Sequence, residues 1–515
     1  MSNLEFVKKL YNGKNCYSDH MSAEELGLLY LKSKVEDIVS DMLDKDRIVF
    51  LTGNPGDGKT FIIKALQEKV TALNVYVQSD LNKETKYDSM ASDIISCYNN
   101  NRPAIIAANE YPFIRLCRAI KAQSPEIYGE ISTVKKSVIS YDVSHALGGK
   151  IAIIDLNERD LLAKDRNLTE EIIGKLLILL TDDISGYHVL NDNIAALSNE
   201  AVRKQVVALF NLAAFGCEHF VTRDILGALS FVITACTMDE YADEPYYSAI
   251  FTGTNKLLKS VQQFDPIYLT TPSLDEKLWN GELQAGWMLD APEVWPNNKR
   301  FDEDVGGAVE CFKAIKRKYY FESTAGQALL SLQPDEFKKC AEIFTGFESQ
   351  KKKIKERIIH SLNKLFLPSS DDKRDLHIWT THKYDMSQDA TVAISSKTVE
   401  SNDLEILMPR PADWIKGMEY TPDHIILKHR YAEQPKLILD IDFLRTLNAI
   451  ENGYPIGLLA PQYEQAASIF LQQLDDQGLT EDNDDGEIII ANRKKNAKMT
   501  ISIQNGKYGF EEVEN

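Results

Sequence analysis

Short apolar runs alternate with amphipathic stretches over the first third of the chain. The runs lie at 48–52, 75–80, 104–108 and 151–154, and most are rich in Val, Ile and Ala, as expected for strands buried on both faces of a sheet. The stretches between them carry apolar residues at helical spacing. Alternation of strands and helices at these intervals predicts an α/β fold with a doubly wound parallel sheet.

The pattern changes along the rest of the chain, and the changes divide it into regions. Residues 1–46 read as an N-terminal helical leader, and 47–157 contain the predicted sheet. Amphipathic helices without strands fill 158–240, which we interpret as a helical lid. Residues 241–367 read as an irregular linker, rich in Pro, Trp and Tyr, followed by helices. From 368 to 515 period-two alternation returns and predicts a mixed α+β C-terminal domain.

A glycine-rich turn joins the first apolar run to the helix after it. It reads Gly53-Asn54-Pro55-Gly56-Asp57-Gly58-Lys59-Thr60, which matches the phosphate-binding pattern G-x-x-x-x-G-K-[ST] between a strand and a helix. Its glycines let backbone N–H groups approach phosphate oxygens. The motif therefore predicts a P-loop NTPase, with a parallel sheet and helical lid followed by helical and mixed α+β regions.

Each residue type in this turn has an expected role. Lys59 would reach the β- and γ-phosphates, and the Thr60 hydroxyl would bind Mg²⁺. No N-K-x-D guanine signature follows, so the predicted cofactors are ATP and Mg²⁺. The residues predicted to contact the nucleotide are Gly53, Asn54, Pro55, Gly56, Asp57, Gly58, Lys59, Thr60 and Phe61.

The composition argues against several other classes of function. A net charge of −19 argues against a protein whose whole surface binds nucleic acid. The seven cysteines include no C-x-x-C pair, which disfavours structural zinc, disulfides and redox catalysis. No apolar run approaches the roughly 20 residues of a membrane span, and the N-terminus lacks a signal-peptide core. The sequence predicts a cytoplasmic protein without a membrane partner.

Hydrolysis needs a carboxylate that holds Mg²⁺ and a group that orients water, and two assignments of these roles are open. In the first, the strand at 104–108 carries the metal-binding position, Glu110 polarises water and Asn157 senses the γ-phosphate. Asn109 would then stand where an Asp normally holds the metal. A simpler alternative is that Glu110 only caps a helix.

In the second assignment Asp80 is the metal-binding carboxylate, at the end of the run 75–80. Asn109 becomes the γ-phosphate sensor on the neighbouring strand, and 151–156 is the last strand before the lid. We favour this assignment because it explains both the Asn after residue 108 and the onset of helices after Leu156.

An arginine in the predicted lid is a further catalytic candidate. In the segment Thr222-Arg223-Asp224, Thr222 is expected to cap a helix and Arg223 to face the γ-phosphate. The alternative is a surface arginine that balances Asp224. Arginines supplied to a neighbouring copy are also conceivable and would require a homo-oligomer; the candidates are Arg115, Arg118 and Arg159.

These segments resemble a known family. Gly56-Asp57-Gly58-Lys59, Ser79-Asp80, Ile106-Ala107-Ala108-Asn109 and Thr222-Arg223-Asp224 are similar to segments of AAA-like or STAND-like ATPases of bacterial phage defence, in particular the DptF-type ATPases of phosphorothioation-dependent DNA restriction. The resemblance implies an ATPase that drives or gates a partner effector. The implied partners are other defence subunits, a nuclease or a helicase, with DNA contacted indirectly. A nucleotide-gated scaffold with little turnover is the alternative.

Overall fold

The computed structural model separates the chain into two compact units, which we describe one at a time. The first contains the described residues up to 330, and the second contains those from 340 onwards. The described residues are 3–11, 22–79, 81, 86–140, 149–162, 168–180, 187–214, 219–235, 244–280, 282, 305–330, 340, 343–344, 346–383, 391–409, 422–459, 461–483, 486–492, 496–504 and 507–513.

A parallel sheet lies at the centre of the first unit. Its strands are β1 (Ile48–Thr52), β2 (Tyr76–Gln78), β3 (Ala104–Ala107) and β4 (Ile151–Asp155). Within the described residues their order is β2-β3-β1-β4, so β3 lies between β1 and β2. All residues of β1 and β3 are buried. The predicted α/β fold with a parallel sheet is confirmed.

The helices of the first unit account for most of its remaining described residues. In chain order they are α1 (Asn3–Tyr11), α2 (Ala23–Leu29), α3 (Lys34–Asp44), α4 (Lys59–Ala65), α5 (Gln67–Ala72), α6 (Tyr87–Asn99), α7 (Glu110–Gln123), α8 (Pro125–Ser140), α9 (Leu168–Leu180), α10 (His188–Ser198), α11 (Glu200–Ala214), α12 (Thr222–Thr234), α13 (Tyr246–Thr252), α14 (Lys256–Gln262), α15 (Pro272–Trp279), α16 (Val305–Glu322) and α17 (Gln327–Leu330).

The two faces of the sheet are covered by different helices. Val49 and Leu51 of β1 pack into a core that includes residues of α3, α4 and α5. Ile48 and Phe50, which point to the other face, pack with residues of α6, α7 and α8. This division follows from the period of two along a strand. Both faces of β1 are therefore buried, and the 53–60 loop follows its carboxyl end.

The predicted N-terminal leader does not pack as one piece. Helix α3 lies beside the sheet, whereas α1 packs against α12. The Tyr11 ring stacks on Phe231 with centroids 4.5 Å apart, and the Ser230 hydroxyl donates to the Val7 carbonyl. Helix α1 therefore belongs with the helices that follow β4.

The region predicted as an irregular linker is partly helical. Helices α13, α14 and α15 lie within 244–280. Local signals start each of them: Pro245 precedes α13, the Asn255 side chain accepts a hydrogen bond from Leu257 N at the start of α14, and Pro272 opens α15. The helices are short, so their periodicity was too brief to reveal them in the sequence. Residues 283–300, which belong to the stretch rich in Pro, Trp and Tyr, lie outside the described residues.

The second unit combines helices with antiparallel sheets. Its elements are α18 (Phe347–Phe366), β5 (Asp375–Lys383), β6 (Thr391–Glu400), β7 (Leu404–Leu407), β8 (His424–His429), β9 (Lys436–Asp440), α19 (Ile441–Glu451), α20 (Pro461–Asp476), β10 (Glu481–Asp482), β11 (Ile488–Asn492), β12 (Ala497–Gln504) and β13 (Lys507–Val513). Strand β6 pairs with β5, β10 and β11, and β11, β12 and β13 form a meander. A separate sheet has the order β7-β8-β9.

No helix in the described parts of either unit is both long enough and apolar enough to cross a membrane.

A buried ion pair helps to fix α16 in the first unit, and its removal should destabilise the unit. Arg317 donates to both carboxylate oxygens of Asp265, whose side chain is 4% exposed. Asp265→Ala leaves the guanidinium buried without that partner, which typically costs about 3 kcal/mol or more. We expect the apparent Tm to fall by roughly 5 °C or more in a thermal melt. Glu200→Ala, which breaks an exposed pair with Lys204, should leave Tm unchanged. Equal changes in Tm for the two variants would contradict a stabilising role of the Arg317–Asp265 pair.

Candidate phosphate-binding site

The loop at residues 53–60 leaves the carboxyl end of β1 and joins α4 at Lys59. Two glycines in it are required both by backbone conformation and by space. Gly53 has φ +135° and Gly56 has φ +106°, values that residues with a side chain rarely adopt. A Cβ at Gly53 would lie 2.6 Å from Asp57 Oδ2, and one at Gly56 would lie 3.1 Å from Val221 Cγ2. The loop is therefore folded tightly on itself and against the segment that starts α12.

Lys59 lies over this loop. Its Nζ donates hydrogen bonds to the carbonyl oxygens of Gly53 at 2.9 Å and Asn54 at 2.7 Å. The ammonium group is thus held above the loop by the loop's own carbonyls. Asn54 and Pro55, at the tip, are exposed. The arrangement places a cation beside a turn whose backbone can approach an anion closely.

Asp57 is buried within the loop, with a side chain 2% exposed. Its Oδ2 accepts a hydrogen bond from Asn54 N at 2.5 Å, and its Oδ1 lies 2.7 Å from His219 Nε2. His219 comes three residues before α12 and was not among the predicted site residues. His219 belongs to no recognisable sequence motif, so its contact with Asp57 becomes visible only in the folded structure.

The start of α12 packs on the loop. A Cβ at Gly56 would lie 3.4 Å from both Cβ and Cζ of Arg223, and one at Gly58 would lie 4.0 Å from Thr222 Oγ1. The predicted cap at Thr222 is wrong by one residue, because Val221 is the N-cap and Thr222 is the first helical residue. The Asp224 carboxylate, at the third helical position, accepts a hydrogen bond from Val221 N at 3.2 Å, and the Val221 side chain makes no capping hydrogen bond.

Thr60 and Phe61 follow Lys59 in the first turn of α4. The Thr60 hydroxyl donates to the Ser79 carbonyl at 3.4 Å, which places it beside the carboxyl end of β2. Asp80, the predicted metal ligand, is the next residue and lies outside the described residues. The Phe61 ring stacks on Tyr30, with centroids 6.2 Å apart.

Asn109 and Glu110 stand at the end of β3, where the chain turns into α7. Asn109 is the N-cap residue but its side chain makes no capping hydrogen bond. Glu110 is the first helical residue and is exposed, a position where a carboxylate also favours the helix dipole. Asn157 lies in the single helical turn after β4, and its backbone N donates to Asp155 Oδ1.

Asp155 adds a carboxylate that the sequence reasoning did not single out. Burial raises its pKa above the ordinary value, and the nearby carboxylates of Asp57 and Glu110 add to the rise. Hydrogen bonds from Asn157 N and the Thr52 side chain oppose it. Three carboxylates therefore interact electrostatically beside the loop.

The arginines considered for a neighbouring copy differ in accessibility. Arg159 is buried, at 7% exposure, and interacts electrostatically with Glu36. It is therefore not a surface residue that could reach another copy. Arg115 and Arg118 are exposed, and the Arg115 guanidinium lies over the rings of Tyr87 and Tyr111.

In the part of the chain that the structure describes, no group of three or more His, Cys, Asp and Glu side chains could hold a metal ion. A magnesium site of one hydroxyl, one carboxylate, phosphate oxygens and waters does not need such a group. The Thr60 hydroxyl beside the end of β2 fits that kind of site.

No family model matches this chain, and the comparisons with curated proteins and with solved structures gave no match either. The family resemblance therefore rests on the motifs quoted above, and the site rests on its own geometry.

The contact between the loop and α12 predicts a specific effect of an added methyl group. Gly56→Ala forces a strained φ and a close approach to Val221, which should cost about 1–3 kcal/mol. We expect a thermal melt without nucleotide to show a Tm lower by roughly 3 °C or more. Gly174→Ala in α9, where nothing lies within 4 Å, should leave Tm unchanged or raise it. A Gly56→Ala variant as stable as the original chain would refute the close packing.

Proposed function

We propose that the chain binds ATP with Mg²⁺ at the 53–60 loop and hydrolyses it. The observation that carries this proposal is the loop itself, a tight glycine turn at the carboxyl end of the central strand β1, with Lys59 above it. Backbone N–H groups of such a turn bind phosphate oxygens, and a lysine amine offsets their charge. Ligands of open parallel sheets bind at the carboxyl ends of the strands, as this position requires.

The proposed metal ligands are Thr60 and Asp80. The hydrogen bond from Thr60 to the Ser79 carbonyl supports this pairing, because Asp80 follows Ser79 directly. In phosphate-binding loops of this type the Ser or Thr hydroxyl and a carboxylate at the end of another strand of the sheet would hold Mg²⁺.

The contact between Thr60 and the Ser79 carbonyl favours Asp80 over the position of Asn109 as the metal-binding residue. Strand β3 lies between β1 and β2, so Asn109 ends the strand next to the loop strand and Asp80 follows the strand beyond it. We assign Asn109 as the γ-phosphate sensor. Glu110, exposed beside it, is the candidate that orients the attacking water.

Arg223 is the proposed lid arginine. Its guanidinium carbon is 3.4 Å from the place where a Gly56 Cβ would lie, so its charge is next to the loop before any phosphate binds. A cation in this place would stabilise the negative charge that develops on the transferred phosphoryl group. Movement of α12 on hydrolysis would then pass to α1, which packs on it.

The biological role that we propose follows from the family resemblance. The nucleotide state would drive or gate a partner effector, a nuclease or helicase subunit of an anti-phage or DNA-restriction system in the cytoplasm. Stimulation of turnover by duplex DNA or by the products of neighbouring genes supports this role. Absence of stimulation by both would count against it.

A second candidate is a nucleotide-gated scaffold that binds ATP with little turnover. The observation that favours it is Asn109, an amide in place of a carboxylate at the end of the strand next to the loop strand. Measurements of MgATP binding and phosphate release with the wild-type protein distinguish the ATPase from the scaffold. A scaffold would bind MgATP tightly without releasing phosphate.

Nucleotide binding should depend on Lys59. Lys59→Ala removes a charged donor to the phosphates, which we expect to weaken binding of a non-hydrolysable ATP analogue with Mg²⁺ by about 10- to 100-fold. The matched control is Lys64→Ala, an exposed lysine farther along α4, which should bind like the original chain. Isothermal titration calorimetry measures both. Equal affinities for the two variants would exclude the loop as the phosphate site.

The rate of ATP hydrolysis should distinguish the roles of the Asp80 and Glu110 carboxylates. We expect Asp80→Asn to reduce phosphate release more than Glu110→Gln, because loss of the metal ligand removes the charge that Mg²⁺ supplies at both phosphates. A phosphate-release assay at saturating MgATP measures the ranking. The reverse order would select the assignment in which the strand ending at 108 carries the metal-binding position.

A further inference from the structure

A partly buried polar pair joins the proposed phosphate loop to the segment before α12. Asp57 and His219 are 162 residues apart in the chain, and their side chains meet at 2.7 Å. The exposed fractions are 2% for Asp57 and 17% for His219. Neither side chain has an assigned role in the proposed chemistry.

The carboxylate of Asp57 is an unusual group for this position. It lies in the loop that is proposed to receive several phosphate charges, and like charges in a site of low exposure repel strongly. Asp155 adds a second carboxylate that interacts electrostatically with Asp57. Lys59 and Arg223 are cations that contact the loop. A carboxylate here is compatible with phosphate binding only if other groups hold and screen it.

Asp57 also shapes the loop directly. Its Oδ2 holds Asn54 N, and Asn54 O in turn accepts from Lys59 Nζ. The same carboxylate oxygen occupies the space that a side chain at Gly53 would need. The Asp57 carboxylate thus holds the backbone at Asn54 directly, and it acts on Lys59 through the Asn54 carbonyl.

His219 is itself held from the side of α14. Lys256 Nζ donates to the His219 carbonyl at 3.2 Å, and Asn255 Nδ2 donates to the Asp224 carbonyl at 3.1 Å. The imidazole therefore reaches Asp57 from a backbone segment that residues of α14 and its N-cap contact at His219 and at Asp224. The contact is built into the fold rather than made by a mobile surface side chain.

We propose that His219 is a positioning residue for nucleotide binding, which rests on the proposed function of the 53–60 loop. Through its hydrogen bond to Asp57 it fixes the carboxylate in the orientation that holds Asn54 and Lys59, and it screens the carboxylate from the incoming phosphates. The same bond couples the loop to α12, so the nucleotide is sensed by the helical lid through Asp57 as well as through Arg223.

A double-mutant cycle tests this role. The measurement is the Kd of a non-hydrolysable ATP analogue with Mg²⁺ for His219→Leu, Asp57→Asn and the double variant. We expect His219→Leu to weaken binding by about 10-fold or more, as for loss of a hydrogen bond to a charged group. In the Asp57→Asn background the same change should cost less than about 3-fold, because the uncharged amide needs no screening and its oxygen can still accept from Asn54 N.

Two further variants separate positioning from general damage. In His219→Gln an amide can donate to Asp57, so this variant should bind within about 3-fold of the original chain. His188→Leu, at an exposed position at the start of α10, is the matched control and should bind normally. Equal losses from His219→Leu in both Asp57 backgrounds, or no loss in either, would overturn the proposal.

A readout without nucleotide keeps this test independent of the proposed function. Hydrogen exchange in the nucleotide-free chain should be faster in peptides that cover 53–60 for His219→Leu, and unchanged for His219→Gln and His188→Leu. If the original chain binds no nucleotide, the proposed function fails, whereas the exchange result still decides whether His219 holds the loop. Unchanged exchange in His219→Leu would show that the pair positions nothing.

Discussion

The start of α12 lies so close to the 53–60 loop that a Cβ at Gly56 would lie 3.1 Å from Val221 Cγ2, and the proposed site depends on this contact. It brings Arg223 and Val221 against a loop that belongs to the sheet, although α12 belongs to the helices that follow it. The Asp57–His219 pair reinforces the contact with a hydrogen bond at a buried position. Movement of either the loop or the helix alone would break these contacts.

The parallel sheet supplies the other half of the site. Strand β1 is buried on both faces, so its carboxyl end is a fixed point from which the loop emerges. Because the strands are parallel, the ends of β2, β3 and β4 lie at the same edge and bring polar residues towards the loop. Asn109 and Asp155 reach this edge from different segments of the chain. The sheet thus brings together polar residues that are far apart in the sequence.

The sequence predicted the features that local patterns control. Three of the buried strands, the helices beside them and the glycine loop could be placed because apolar runs and a compact motif mark them. The Asp57–His219 pair could not be predicted, because it joins residues with no local relation. The N-cap at Val221 was missed because valine has no side-chain group that could accept a capping hydrogen bond, so the sequence favoured Thr222 instead. The short helices within 244–280 depend on packing more than on periodicity.

The central claim is that the loop and the start of α12 form one nucleotide site, and a structure with a non-hydrolysable ATP analogue and Mg²⁺ tests it most directly. The phosphates are expected on the backbone N–H groups of 56–60, with Lys59 turned from the loop carbonyls to the β- and γ-phosphates. Arg223 should approach the γ-phosphate, and Mg²⁺ should lie between Thr60 and Asp80. An analogue bound elsewhere, or in the loop without contact to α12, would contradict the claim.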